Sequence, residues 1–473
     1  MILSINRKEL YNDISETIRS FLPDEAVDVG EPCDLSVSVY VSDDIATAEA
    51  IYTLNGVAYK EECKMQMDET DALHEKRYIK RAGKLAVYRA LCRAYNRSLP
   101  WGSLTGIRPT KMIYEGGSRR ELNKVYGVTD QKCDLLERII KNQTEFIDAP
   151  ADAFDIYIGI PFCKTRCVYC SFATNDATKS KLIPEYMRAL VKEIRLVSEF
   201  LNRHNKKPRC LYIGGGTPTA LDEENLKLLL DECKSILPSF EFTVEAGRPD
   251  TLNRKKLEII KEAEVGRISI NPQTMHEQTL NTIGRMHSVE DIISCYRMAT
   301  EIGFDNINMD LIAGLPGETS SMFEESLNSI IELDPANITV HTLSVKRGSR
   351  LSENPAYYVM PSQEEVERMV SNAYLRLTGE GYEPYYLYRQ KYQSGNLENV
   401  GYCRKGTECI YNIDIMEETT SIIALGAGGV SKRVYKNEGR IERCANSKSI
   451  FDYIDRIDEL TSKKISFFDD LIK

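Results

Sequence analysis

Ile160-Pro-Phe-Cys-Lys-Thr-Arg-Cys-Val-Tyr-Cys-Ser-Phe172 places Cys163, Cys167 and Cys170 within eight positions of a 473-residue chain that holds thirteen cysteines in all. Thiolates are the usual ligands of iron–sulfur clusters. A Cys-x3-Cys-x2-Cys loop can hold three corners of a [4Fe–4S] cube and leave the fourth iron open. Two plainer readings compete. Spacings of four and three also set three thiols on one face of a helix, where cysteine packs as a small core hydrophobe. A zinc site normally needs a fourth ligand, and the nearest histidine, His204, is far along the chain. The flanking sequence reads as a strand running into a loop, which favours the cluster.

Outward from this loop, strand and helix patterns alternate from about residue 154. The strands are expected at Asp155–Ile160, Cys210–Ile213, Phe240–Glu245, Arg267–Asn271, Asn306–Ile312 and Asn337–Leu343. Helices are expected at Pro184–Asn202, Glu223–Ile236, Arg254–Glu264, Val289–Glu301 and Ser320–Leu333. Six such units predict parallel strands with helical crossovers. Periodicity fits an open doubly wound sheet and a partial (β/α)6 barrel equally. Residues 1–150 read as a separate α/β unit. There Leu35, Val37, Val39 and Val41 mark a half-buried strand, and helices are expected near 74–97 and 130–143. The turn-rich segment Leu99–Thr110 carries the only tryptophan and reads as a packed loop. Beyond about 350 the pattern is less regular. It holds a tyrosine-dense run, Gly381–Tyr392, and a strand entering a glycine turn, Ile422–Gly429.

Composition excludes several classes. Hydrophobic residues are 42% and charged residues 28%, ordinary for a globular protein. No apolar run reaches membrane-spanning length, and charge follows the first apolar residues too soon for a signal peptide. The expectation is a cytoplasmic protein without membrane insertion, its cysteines reduced. A net charge of −10 makes nucleic acid a poor default partner.

Ligands of parallel α/β folds gather at the carboxyl ends of the strands. The second expected strand leads to Gly214-Gly-Gly-Thr-Pro-Thr219, the third ends at Glu245, the fourth leads to Gln273 and the fifth carries Asp310. Buried strand ends rarely carry such groups without partners, because desolvating them is costly. Each taken singly is as readily a cap or a local ion pair.

The cysteine loop resembles that of the radical S-adenosylmethionine (SAM) enzymes, and this resemblance selects the partial (β/α)6 barrel. It implies a [4Fe–4S] cluster whose open iron takes SAM, with a 5′-deoxyadenosyl radical as the oxidant. Tyr157-Ile-Gly-Ile-Pro-Phe-Cys163, Gly214–Thr219, Gln273, Arg285 and Asp310-Leu-Ile-Ala-Gly-Leu-Pro-Gly317 together resemble the oxygen-independent coproporphyrinogen III oxidase group. The N-terminal unit and Gly395-Asn-Leu-Glu-Asn-Val-Gly-Tyr402 are similar to its HemZ branch. The implied organisation is an accessory domain at 1–150, a radical SAM core at 151–348 and an α+β, substrate-covering extension at 349–473.

Residue by residue, the resemblance implies Cys163, Cys167 and Cys170 as cluster ligands. It implies Tyr157, Gly215, Glu245 and Ser344 as contacts to the SAM on the open iron; Ser344 stands where the family has alanine. Tyr169, Gly216, Thr217, Gln273, Arg285 and Asp310 match positions assigned to a second SAM. The implied reaction is oxidative decarboxylation of two propionates of coproporphyrinogen III, giving protoporphyrinogen IX in anaerobic haem biosynthesis. A flavodoxin or ferredoxin would supply the electron, and Lys346, Arg347 and Arg350 are candidate partners for substrate carboxylates. Two departures stand out: Phe172 replaces a further cysteine of the founding oxidases, and their N-terminal tyrosine segment has no match. A haem chaperone of the same group is the rival reading. Its His-Asn-x-x-Tyr-Trp segment appears here as Tyr411-Asn-Ile-Asp-Ile-Met416, without the histidine. A radical SAM enzyme acting on another tetrapyrrole is the third. Cys403 and Cys409 lack further ligands nearby and read as free thiols.

Overall fold

The computed structural model describes residues 1–23, 25–67, 72–105, 108–172, 175–390 and 394–472. The chain divides into two compact units, Met1–Glu137 with Gly395–Leu397, and the remainder from Arg138. In the first unit a five-stranded sheet has the order Asp28–Val29, Ile2–Ile5, Leu35–Ser42, Ile45–Leu54, Val57–Gln66. Leu35, Val37 and Val39 alternate inward, as strand period two requires, and pack with Ile14 and Ile18 of helix Tyr11–Phe21 and Leu85 of helix Ala72–Tyr95. Trp101 is buried in a turn closed by the Gly102 N–H to Leu99 and the Ser103 N–H to Tyr126, so its loop is structural. Gly106 and Ile107 of that segment lie outside the described residues.

The second unit is built on one eleven-stranded sheet. Its strands are β1 (Phe154–Ile160), β2 (Cys210–Gly215), β3 (Glu241–Gly247), β4 (Arg267–Ile270), β5 (Ile307–Ala313), β6 (Asn337–Thr342), β7 (Glu383–Arg389), β8 (Glu398–Cys403), β9 (Ser421–Leu425), β10 (Val430–Tyr435) and β11 (Arg440–Ala445). The spatial order is β7-β8-β6-β5-β4-β3-β2-β1-β9-β10-β11. Strands β1 to β6 run parallel, as their alternation with helices predicts, and form the partial barrel. A seventh parallel strand, β9, pairs with β1 from the far end of the chain. The sequence pattern marks a strand at Ile422–Gly429 but not this pairing, because nothing local records which strand it will lie beside. Strands β7, β8, β10 and β11 add antiparallel edges.

The crossover helices are α1 (Ile183–Arg203), α2 (Glu223–Cys233), α3 (Arg254–Glu262), α4 (Val289–Ile302) and α5 (Ser320–Leu333). Their limits follow from local chemistry. Ser288 and Asp291 form a capping box before α4, which ends at Gly303 with φ +99°. Thr319 caps α5. Among the helices that follow are α6 (Gln363–Gly379), α7 (Ile410–Glu417) and α8 (Ile457–Ile472). The start of α7 is fixed by Glu241, which accepts the Ile410 and Tyr411 N–H groups at 3.1 and 3.4 Å and the Cys409 thiol at 3.1 Å. Cys403 donates to the Glu383 carbonyl at 3.6 Å. Among the described residues, no helix is long and apolar enough to cross a membrane.

Candidate active site

The cysteine loop leaves the carboxyl end of β1 and is not helical, which disposes of the core-helix reading. It is pinned from both sides: the Val168 N–H reaches the Ile283 carbonyl at 3.0 Å, and the Leu351 N–H reaches the Val168 carbonyl at 3.0 Å. Cys167 is buried, while Cys163 and Cys170 are half-buried. Burial raises the Cys163 and Cys170 thiol pKa values, and mutual repulsion among the sulfurs adds to the rise. Held together as thiolates, three such sulfurs would need a cation among them. That donor set suits a multi-iron cluster rather than a single zinc ion.

The glycine turn after β2 makes room for the loop. A side chain on Gly216 would bring its Cβ to 2.6 Å from the Phe162 carbonyl oxygen and 3.0 Å from Cys163 Sγ. The Thr217 N–H donates to Phe162, and its Oγ1 lies 3.5 Å from Cys163 Sγ. Gly216 and Thr217 thus crowd against the first cysteine, while Gly215 lies against Ile160 and the Tyr157 hydroxyl.

Side chains at alternate positions of the strands line a cavity of about 550 Å³, which includes Tyr157, Glu245, Asp310 and His341. The register sets Tyr157 beside Tyr212 on β2, with ring centroids 6.3 Å apart. Tyr212 in turn stacks on Tyr411 of α7 at 4.5 Å. The Tyr212 hydroxyl donates to Glu245 at 2.5 Å. Burial pushes the Glu245 carboxyl up to about 7. Burial opposes ionisation of Asp310 as well, but His341, 3.5 Å away, and the donors Asn308 and Thr339 outweigh it and hold its pKa below the ordinary value. His341 also meets the Tyr388 hydroxyl at 3.4 Å. Tyr386 crosses directly over Gly401, where a Cβ would fall 1.9 Å from the ring, so the tyrosine-dense strand β7 turns aromatic faces into the cavity. Lys391 and Tyr392 of that run lie outside the described residues.

The remaining expected site residues sit around this cavity rather than in its lining. Gln273 adopts φ +70° and bridges to β5 through the Asp310 carbonyl at 2.8 Å. Arg285 is buried, donates to the Asn271 carbonyl and lies 3.5 Å from the Tyr169 hydroxyl. Ser344 is buried just beyond β6. Lys346 is partly buried beside Cys170, and burial lowers its pKa; Arg347 and Arg350 are exposed. Sequence reading passed over His341 and Arg248. His341 was detectable, since it lies two and four positions from Thr339 and Asn337 on the inward face of β6. Arg248, whose Nη1 lies 3.8 Å from Cys167 Sγ, carried no local signal.

The Radical SAM superfamily profile matches residues 157–330, within the barrel and cysteine loop just described, and the protein is a radical SAM protein. Its cofactors are therefore a [4Fe–4S] cluster and SAM. The Oxygen-independent coproporphyrinogen-III oxidase-like protein HemZ of Bacillus subtilis (strain 168) is 41% identical over 389 residues, covering 79% of this chain and 78% of that protein. The chain belongs to this HemZ family. Heme chaperone HemW of Bacillus subtilis (strain 168) is 38% identical over 218 residues, 45% of this chain and 56% of that one. Coproporphyrinogen III oxidase (HemN) from Escherichia coli shares the fold, with a TM-score of 0.50 and 20% identity over 67% of this chain and 72% of that one.

Proposed function

We propose that this protein is a radical SAM oxidoreductase that decarboxylates the propionates of coproporphyrinogen III to the vinyl groups of protoporphyrinogen IX in the cytoplasm. Cys163, Cys167 and Cys170 would hold the cluster, which with SAM supplies reductive C–S cleavage and so the means to take hydrogen from an unactivated carbon. Tyr157, Gly215, Glu245 and Ser344 are the residues for that SAM. Tyr169, Gly216, Thr217, Gln273, Arg285 and Asp310 are those for a second. The tyrosine faces of β7 offer a flat wall to a macrocycle, and Lys346, Arg347 and Arg350 offer charge to its carboxylates. Residues 349–473 would cover the substrate, residues 1–150 would be accessory, and a flavodoxin or ferredoxin would deliver the electron.

The observation that carries the enzyme over the haem carrier is Tyr411. It stands where the chaperones' histidine stands, yet it is buried in the stack with Tyr212 and Tyr157. Burial raises its phenol pKa well above the ordinary value, which disfavours the phenolate that iron ligation needs.

Two experiments bear on this reading. Anaerobic protein with a reconstituted cluster, given SAM, reductant and coproporphyrinogen III, should yield deoxyadenosine and decarboxylated product together. Deoxyadenosine alone would move the substrate elsewhere, and stoichiometric haem binding without turnover would favour the chaperone. Glu245 adds a pH test. Its ionised form is the stronger acceptor for the amino group of SAM, and burial pushes its carboxyl up to about 7 in the free protein. SAM affinity, measured by equilibrium dialysis, should rise with pH up to about pH 7 and level off above it. Glu245→Gln should weaken binding by about 10- to 100-fold at pH 8 and remove the pH step.

A further inference from the structure

Cys167 is the most buried of the three cluster cysteines, and its sulfur faces a guanidinium held almost immobile. Arg248 begins the turn after β3 and is 3% exposed. Its Nε and Nη2 grip the two oxygens of Asp250, each at 3.0 Å. Its Nη1 donates to the Thr165 carbonyl at 3.1 Å and points at Cys167 Sγ, 3.8 Å away. Every arm of the fork is therefore spoken for, and one of them ends on the sulfur.

Asp250 is held in turn. Burial alone would raise its carboxyl pKa, but His287 and Arg248 reverse this and keep it well below the usual carboxylate range. The His287 ring is fully buried, with Nδ1 3.6 Å from Asp250 Oδ1. Lys164 reaches the Asp250 backbone carbonyl at 2.9 Å and its carboxylate at 3.8 Å. The carboxylate thus keeps other partners if Arg248 is changed.

Cluster potentials depend on hydrogen bonds to the sulfurs, on local charge and on solvent exposure. We propose that Arg248, clamped by Asp250, is a positioning residue that raises the reduction potential of the cluster through its N–H and charge on the Cys167 sulfur. Stabilising the thiolate corner favours the reduced, more negative cluster, and so makes it easier for a protein donor to load. The inference rests on cluster assembly at the three cysteines and is independent of the substrate.

The test is anaerobic reconstitution of wild type, Arg248→Lys, Arg248→Met and the charge-neutral pair Arg248→Met/Asp250→Asn. Iron and sulfide are counted first, and the cluster midpoint is then read by redox titration followed by electron paramagnetic resonance. With iron content equal to wild type, Arg248→Met and the double variant should titrate at a more negative potential, and Arg248→Lys should fall between. Their SAM cleavage should survive with excess strong chemical reductant and drop at least tenfold with a protein donor. An unchanged midpoint at full iron content would overturn the proposal. So would iron loss in both the Lys and Met variants, which would make Arg248 a structural prop. Failure of the wild type to bind iron at all would instead sink the cofactor assignment to these cysteines.

Discussion

Cys167→Ala should purify colourless, retain no more iron than background after reconstitution, and cleave SAM no faster than buffer. Two thiolates remaining on the loop, Cys163 and Cys170, cannot hold a cubane that already lacks a fourth protein ligand. The effect should be confined to the cofactor. The loop keeps its backbone ties from Val168 to Ile283 and from Leu351 to Val168, so circular dichroism should match wild type. Cys409→Ala is the matched control. That thiol is buried too, but its hydrogen bond goes to Glu241 at the start of α7. It should lose about 1 kcal/mol of stability and no iron. Full iron in Cys167→Ala would remove this residue from the ligand set and leave the loop without a third corner.

Lys464→Met should be the most destabilising single change outside the cysteine loop, by about 3–5 kcal/mol at pH 8. Glu193 on α1 and Lys464 on α8 are both fully buried and pair directly. Glu193 also accepts from the Gly426 N–H at 2.8 Å, the Asn446 amide at 3.1 Å and the Tyr453 hydroxyl at 2.7 Å. One carboxylate thus joins α1, the turn after β9 and the C-terminal helix. Burial alone would raise its pKa, but Lys464 and these donors outweigh burial and lower it. In the wild type the stabilisation from Glu193 is therefore present above the unfolded carboxylate pKa and lost only as pH falls through the still lower folded value. In Lys464→Met the balance reverses. Burial raises the pKa, the folded state takes up a proton, and the deficit should shrink from pH 8 to pH 5. Urea midpoints at the two pH values read this directly. Adding Glu193→Gln should recover part of the loss at pH 8; no recovery would mean that Lys464 matters for packing rather than for charge.

Much of the barrel was legible because its signals are local. The helix expected at Ser320–Leu333 has those limits in the structure, with Thr319 capping its start. The strand expected at Cys210–Ile213 runs on to Gly215, since glycines that a propensity argument treats as a turn still pair with Gly159 and Ile160. The tyrosine-dense run resolved into a strand and a cavity wall at once, because Gly401 lets Tyr386 lie across the neighbouring strand. No single-strand pattern contains that information.

From the sequence alone came the cysteine loop, the six strand–helix units and the polar residues at their carboxyl ends. Spacing, periodicity and capping act over a few residues, and a chain displays them wherever it later goes. Tertiary structure alone decided that β9 returns to flank β1, that Arg248 meets Cys167 across 81 residues, and that Glu193 meets Lys464 across 271. Such partners are chosen by which surfaces folding buries against one another. A buried charge is held only by the group that faces it there, and nothing in its sequence neighbours records which group that is.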